Sequence, residues 1–149
     1  MMKINRLHRI EKTYQLFRTC PDPNLREKEG GWSIKQILGH LFDSASNNHQ
    51  RLLRYVKGGE LKFPGYDQEE FVRRANYQDF EYLNLLILWH RQNNLLLHIY
   101  DHIPEEDRES SIRVGDREAV SIRRLMGDYF AHMEAHEDQV KRILTGKES

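Results

Sequence analysis

Near the end of the chain, the stretch DYFAHMEAHEDQV sets His132 and His136 four residues apart in a segment of helical periodicity. Residues at that spacing have Cβ atoms about 5–6 Å apart, close enough for two imidazoles to converge on one divalent ion. At about 100° per residue, Leu125, Tyr129, Met133, Val140 and Ile143 fall on the same side of the helix as the pair. The histidines therefore belong to the apolar stripe and not to a solvated face. Two readings remain: buried histidines with ordinary hydrogen-bond partners, or two ligands that need a third from another helix.

A third imidazole is available upstream in WSIKQILGHLFDSASNNHQRLLR. On that helix His40, Ser44, Asn47 and Arg51 form a polar stripe beside an apolar face of Ile34, Ile37, Leu41, Ala45, Leu52 and Val56. Such a stripe is either a solvated edge or the wall of a pocket. In the pocket reading Asn47 and Arg51, together with Asp67, are candidates for binding polar or anionic groups of a substrate. Asp128 lies one turn before His132 and is a candidate for orienting an imidazole, whereas Glu134 and Glu137 fall toward the outer face.

Competing metal motifs are absent. A zincin needs His-Glu-x-x-His, and Val140 stands where the second histidine would be. The Glu-x-x-His of ferritin-like di-iron sites is missing. His98 and His102 also stand four apart, but at a helix end, where solvation or pairing with the helix dipole accounts for them.

The elements that must position these residues follow from breakers and caps. Pro21, Pro23, Pro64 and Pro104 all fall between periodic stretches. The spacing predicts a first helix from about Ile4 to Thr19, with Ile4, Leu7, Ile10, Tyr14 and Phe17 on one face. Ser33, with Gln36 for a capping box and Trp32 placed to staple onto Ile37, starts a second helix that should stop at Gly58 and Gly59. LKFPGYDQEEFVRRANY reads as a loop with one short helix. Asp79 should cap a third long helix running to about His102. SIRVGDREAV is either a small hairpin or a loop, and Ser121 should cap a fourth helix ending near Gly146. The expectation is one all-α domain over residues 1–149, a four-helix bundle. The loops before the third and fourth long helices are each long enough to cross the bundle.

Composition narrows the function. Lys plus Arg and Asp plus Glu stand at 23 each, so no basic field is available for a phosphate backbone, and nucleic acid is not an expected partner. The longest apolar run, LLILW, does not span a bilayer, and the N-terminus lacks the apolar centre of a signal peptide. A cytoplasmic, membrane-free protein is expected. Cys20 is the single cysteine, which excludes an intrachain disulfide and a CxxC site. Broad apolarity around Leu85, Leu86, Ile87, Leu88 and Trp89 exceeds what one core needs and suggests a homodimer.

Two of these segments, GWSIKQILGHLFDSASNN and DYFAHMEAHEDQV, resemble the metal-ligand regions of the DinB superfamily, the DinB/YfiT-like metalloenzymes. The similarity continues through FPGYDQEEFV, the Trp89 to Asn93 region and IRRLMGDYFAHMEAHEDQV, so it covers nearly the whole chain. It implies a four-helix bundle whose divalent metal is held by His40, His132 and His136, with Zn²⁺ or Ni²⁺ ahead of Fe²⁺ and Mn²⁺. It also implies chemistry on a small molecule: S-transfer from a low-molecular-weight thiol such as bacillithiol or mycothiol to an electrophile, or hydrolysis. The alternative is a non-catalytic bundle that binds a metal, a small ligand or a partner. Dimers are common among the family's members.

Overall fold

The computed structural model describes residues 3–146, and side chains from residue 5 onward, so the expected placement of Ile4 lies outside the described side chains. Four long helices dominate: α1 (Lys3–Arg18), α2 (Ile34–Arg54), α4 (Tyr82–Asp101) and α5 (Ile122–Thr145). A short helix α3 (Gln68–Ala75) and three strands, β1 (Glu60–Phe63), β2 (Ser111–Val114) and β3 (Val120–Ser121), fill the connections. The architecture is the expected four-helix bundle with a minor sheet.

Both α1 and α2 pack on α4 and on α5. Consecutive helices α1 and α2 therefore occupy opposite corners of the bundle, as do α4 and α5. The connections that cross the bundle are those before α2 and before α5. The one before α4, although long enough to cross, joins neighbours, because α2 and α4 share the most extensive helix interface.

Capping explains why the histidine helices start where they do. The Ser33 side chain accepts from the Gln36 backbone N–H and the Gln36 side chain accepts from the Ser33 N–H, the reciprocal box that fixes the start of α2. Ser121 Oγ accepts from Arg124 N–H at 3.0 Å and starts α5. At the other end, Gly146 (φ +67°) adopts the left-handed conformation that closes α5.

Two helix boundaries differ from expectation. α2 ends at Arg54 with Tyr55 extended, so Val56 lies beyond it and is exposed. Asp79 does not cap α4. It sits in a 3₁₀ turn, Tyr77–Asp79, where its carboxylate accepts from Asn76 Nδ2 at 2.9 Å, and the extended Phe80 delays the helix until Tyr82. Leu7, assigned to the inner face of α1, is exposed, whereas Ile10 and Phe17 are fully buried.

The core is built around Trp89, Phe17, Ile10, Ile34, Ile37 and Leu38. Gly39 lets the ring of Tyr77 lie directly on α2, since a Cβ there would come within 2.2 Å of a ring carbon. The Tyr77 hydroxyl then donates to Asp43 on the same helix.

SIRVGDREAV forms a hairpin. β2 pairs antiparallel with β3, Ser111 opposite Ser121, and Gly115 at φ +58° supplies the left-handed turn. On the other side β2 pairs in parallel with β1, Glu60 opposite Ser111 through Phe63 opposite Val114. A strand as short as ELKF carries too little alternation to be read from sequence. Among the described residues no helix is long and apolar enough to cross a membrane.

Candidate metal and substrate site

His40 projects from α2, and His132 and His136 from successive turns of α5. The stripe reading of α5 holds: Tyr129, Met133, Val140 and Ile143 are buried around the pair. Nε2 of His40 stands 3.2 Å from Nε2 of His132, which is 3.1 Å from Nε2 of His136. The three rings meet edge to face, with centroids 4.5 to 5.1 Å apart. Among the described residues this is the one cluster of three potential ligand side chains whose donor atoms gather in this way.

The environment keeps the rings neutral. His40 is 1% exposed, and burial, with the neighbouring His136 and His132 adding to it, lowers its pKa to about 3. Burial and His136 lower His132 to about 4. His136 is also held below its ordinary value by burial, an effect that Gln139 partly offsets. The Trp32 ring stacks at a tilt on His40, centroids 4.9 Å apart, and shields it from the loop side.

His136 Nδ1 donates to Gln139 Oε1 at 2.8 Å. The proton is thereby assigned to Nδ1, and Nε2 turns its lone pair toward the other two rings. Four ligands around Zn²⁺ at about 2.0–2.1 Å and near-tetrahedral angles would stand about 3.3 Å apart. The two Nε2 separations to His132 approach that value and all three ligand atoms lie within 4.8 Å of one another, so the three imidazoles fit a divalent ion of borderline softness. No carboxylate joins the cluster, which leaves coordination positions for water or substrate, as in catalytic and not structural sites.

A cavity of about 800 Å³ opens in front of the cluster. α2 contributes Ser44, Asn48 and Arg51 to its wall, and α5 contributes Leu125, Asp128 and Tyr129. Gly65 and Tyr66, from the segment after β1, and Gly115 to Glu118, from the hairpin turn, form the outer side. The polar stripe on α2 is thus a pocket wall.

Several residues singled out from sequence take other places. Asn47 does not line the cavity: its Nδ2 donates to the Asp43 carbonyl at 2.9 Å, and its neighbour Asn48 faces inward instead. Asp67 caps α3 by accepting from the Glu69 and Glu70 N–H groups. Asp128 lines the cavity but pairs with Arg124 at 3.1 Å, and Gln139 is the residue that orients an imidazole. Glu137, expected near the outer face, is 1% exposed and accepts from Thr13 Oγ1 at 2.8 Å and Arg9 Nη1 at 3.0 Å. It joins α5 to α1. His102 Nδ1 donates to the His98 carbonyl at 2.8 Å, an arrangement internal to the end of α4.

Sequence reasoning missed Gln139, Tyr66 and Arg117, and gave Trp32 only the staple onto Ile37 and not its contact with His40. For Gln139 a signal existed, since it stands one turn after His136. Arg117 and Tyr66 reach the cavity only through the packing of β1 against β2, which has no local signature.

No curated protein matches this chain. Among solved structures it is similar to YfiT from Bacillus subtilis, described as "a probable metal-dependent hydrolase with an unusual four-helix bundle topology". The TM-score is 0.78 at 16% identity, covering 95% of this chain and 85% of that one. It is also similar to the mycothiol-dependent maleylpyruvate isomerase, with TM-score 0.65 and 10% identity over 94% of this chain and 61% of that protein. A mutant of that isomerase gives TM-score 0.67. At these identities the likeness is one of fold, and this chain spans less than two thirds of the isomerase. The DinB superfamily model matches residues 7–140, nearly the whole of the bundle just described, and this chain belongs to the DinB superfamily.

Proposed function

We propose that this protein is a divalent-metal-dependent enzyme acting on a small molecule, with His40, His132 and His136 as the metal ligands. The observation that carries the reading is the convergence of three neutral imidazoles, Nε2 to Nε2 at 3.1 and 3.2 Å, at the inner end of a cavity of about 800 Å³. Zn²⁺ or Ni²⁺ is the favoured ion, with Fe²⁺ and Mn²⁺ as the next candidates. When bound, such an ion supplies Lewis acidity and favours the ionised form of a water or thiol in the cavity.

The chain's own residues prepare that chemistry. Gln139 keeps the His136 proton on Nδ1, so the ring needs no tautomer change to act as a ligand. Trp32 covers His40 and limits water access from that side. Ser44 and Tyr66 offer hydroxyls at the wall, and Arg51 a cation, for holding a substrate in front of the cluster.

Two reactions suit this arrangement: S-transfer from a low-molecular-weight thiol cosubstrate to an electrophile, and hydrolysis. The name of one similar structure, a probable metal-dependent hydrolase, supports hydrolysis, and that of the other, a mycothiol-dependent isomerase, supports a thiol cosubstrate. We place thiol transfer slightly ahead, because the cavity is large enough for both a thiol and its acceptor. A homodimer is also proposed: of the apolar run expected to form it, Leu85, Leu86 and Trp89 are taken up by the core, but Ile87 and Leu88 stay exposed, with Leu83 and Leu95, on the outer side of α4.

The test is elemental analysis of protein purified without a histidine tag, beside His132→Ala. About one equivalent of metal in the parent and none in the variant supports the site and opens a screen of thiols and esters. No metal in the parent, even after incubation with Zn²⁺ or Ni²⁺, overturns the enzyme reading in favour of a non-catalytic bundle.

A further inference from the structure

Arg51 is 7% exposed and lies on the wall of the cavity that the three histidines share. Buried guanidinium groups are normally paired with a carboxylate, because an isolated charge loses its hydration on burial. Arg51 is not: among the described residues no carboxylate lies within ion-pair distance of it. Its one hydrogen bond is from Nη1 to Asn48 Oδ1, long at 3.4 Å. Nε is buried without a partner, and the guanidinium rests over the Phe63 ring at 5.2 Å.

A second cation faces the same space. Arg117, on the turn between β2 and β3, lines the cavity, and its charge bears unfavourably on Arg51. The acids nearby do not relieve this. Asp128 is paired with Arg124, while Asp116 and Glu118 flank Arg117 on the turn and make no ion pair with Arg51. Two guanidinium groups turned toward one cavity, one of them buried and uncompensated, mark the place of an anion.

Resting on the metal-dependent reading above and extending it to substrate class, we propose that Arg51 and Arg117 form a binding subsite for an anionic group, a carboxylate or a phosphate, carried by the small-molecule substrate. The subsite is remote from the reacting end. His40 and Arg51 lie on one face of α2, about 16 Å apart along the axis by helical rise, and the arginine side chain leans back toward the histidines and shortens that gap. The substrate is therefore an extended molecule with its anion at one end and its reactive atom at the other. Tyr66, half-buried beside Ser44, stands between the two ends.

The test uses the full chain stripped of metal, so that anion binding is read apart from any reaction. Succinate, inorganic phosphate and neutral succinamide are titrated into ¹⁵N-labelled protein, and the backbone and arginine Nε–H resonances are followed. Saturable shifts at Arg51 and Arg117 with succinate or with phosphate, and none with succinamide, are expected. The anion that binds more tightly tells carboxylate from phosphate. Arg51→Met should weaken binding at least about tenfold, in line with loss of a charge-assisted contact. Arg117→Gln, at an exposed turn where folding is not at stake, should weaken it severalfold. No saturable shift with either anion, or unchanged affinity in both variants, overturns the subsite. A parallel Zn²⁺ titration separates the two readings: a parent that takes Zn²⁺ but no anion loses only the subsite, and one that binds anion but no Zn²⁺ keeps the subsite and loses the metal centre.

Discussion

His40 Nε2 and His132 Nε2 stand 3.2 Å apart across 92 residues of sequence. Two neutral imidazoles share a single hydrogen bond at that distance, and the third ring, His136, makes the same demand on the same His132 nitrogen at 3.1 Å. The packing of α2 against α5 therefore prearranges three ring nitrogens before any ion arrives, and the ordering entropy of the site is already met by the bundle.

Gln139 is the means of testing that prearrangement. Gln139→Leu keeps the size of the side chain and removes the acceptor of His136 Nδ1–H. Metal affinity should fall about 10- to 100-fold, the usual consequence of losing an outer hydrogen bond to a ligand. Competition against a chromogenic chelator measures it, and an unchanged affinity would show that helix geometry alone aligns the ring.

Acid should destabilise the metal-free protein through the same rings. His40 and His132 have folded-state pKa values of about 3 and about 4 against 6.5 for a free side chain. Between those limits the unfolded chain binds more protons, so stability falls as pH is lowered from 6.5. Asp43 acts in the opposite sense. Burial raises its carboxyl to about 6 from 3.8, so over that interval the folded state binds the extra proton and gains stability as pH falls. Two histidines outweigh one carboxyl, and the net trend is a decline. Urea midpoints at pH 7 and pH 5 should show it, and Asp43→Asn should make the decline steeper. A flat profile would mean that the rings are solvated in solution.

Gly39→Ala tests the seating of Tyr77. The added methyl would lie 2.2 Å from a Tyr77 ring carbon, too close for any real contact, so either the 3₁₀ turn or the start of α4 must shift. A loss of about 1–3 kcal/mol is expected, typical of overpacking, with an unchanged denaturant slope. A neutral outcome would place Tyr77 away from α2.

The α4 flank provides a test of association. Ile87→Glu inserts a charge among exposed Leu83, Leu88 and Leu95 and should convert a dimer to a monomer by light scattering, with no change in helix content. A parent that is monomeric at high micromolar concentration would refute the dimer.

The legible part of this sequence was its periodic part. The inward face of α5 and both capped helix starts follow from local spacing and side-chain chemistry, and the chain expresses each within a few residues. His40 was legible as a partner only because its stripe of Ser44 and Arg51 lay at the margin of an apolar face. Glu137 was misread because a helical wheel sees its own helix and not α1, where Thr13 and Arg9 wait for a carboxylate. Asn47 and Asn48 were confused because adjacent residues at the edge of a stripe differ by one helical step, and it is Asn48 that is buried against the cavity. Asp79 satisfied the local rule for a cap, but an extended Phe80 intervened. Arg117 had no sequence signal at all, since a hairpin turn reaches a helix face only through tertiary packing.

Ser121 is both the last residue of β3 and the cap of α5. The hairpin that carries Arg117 is thus a short handle on the rod that carries His132 and His136. Turns at hairpin tips accept replacement more readily than helix interiors do. The outer wall of this cavity is accordingly an exchangeable part: grafting a different turn between Val114 and Val120 would retune what the protein admits while leaving the histidine cluster, set in the interior of two helices, as it is.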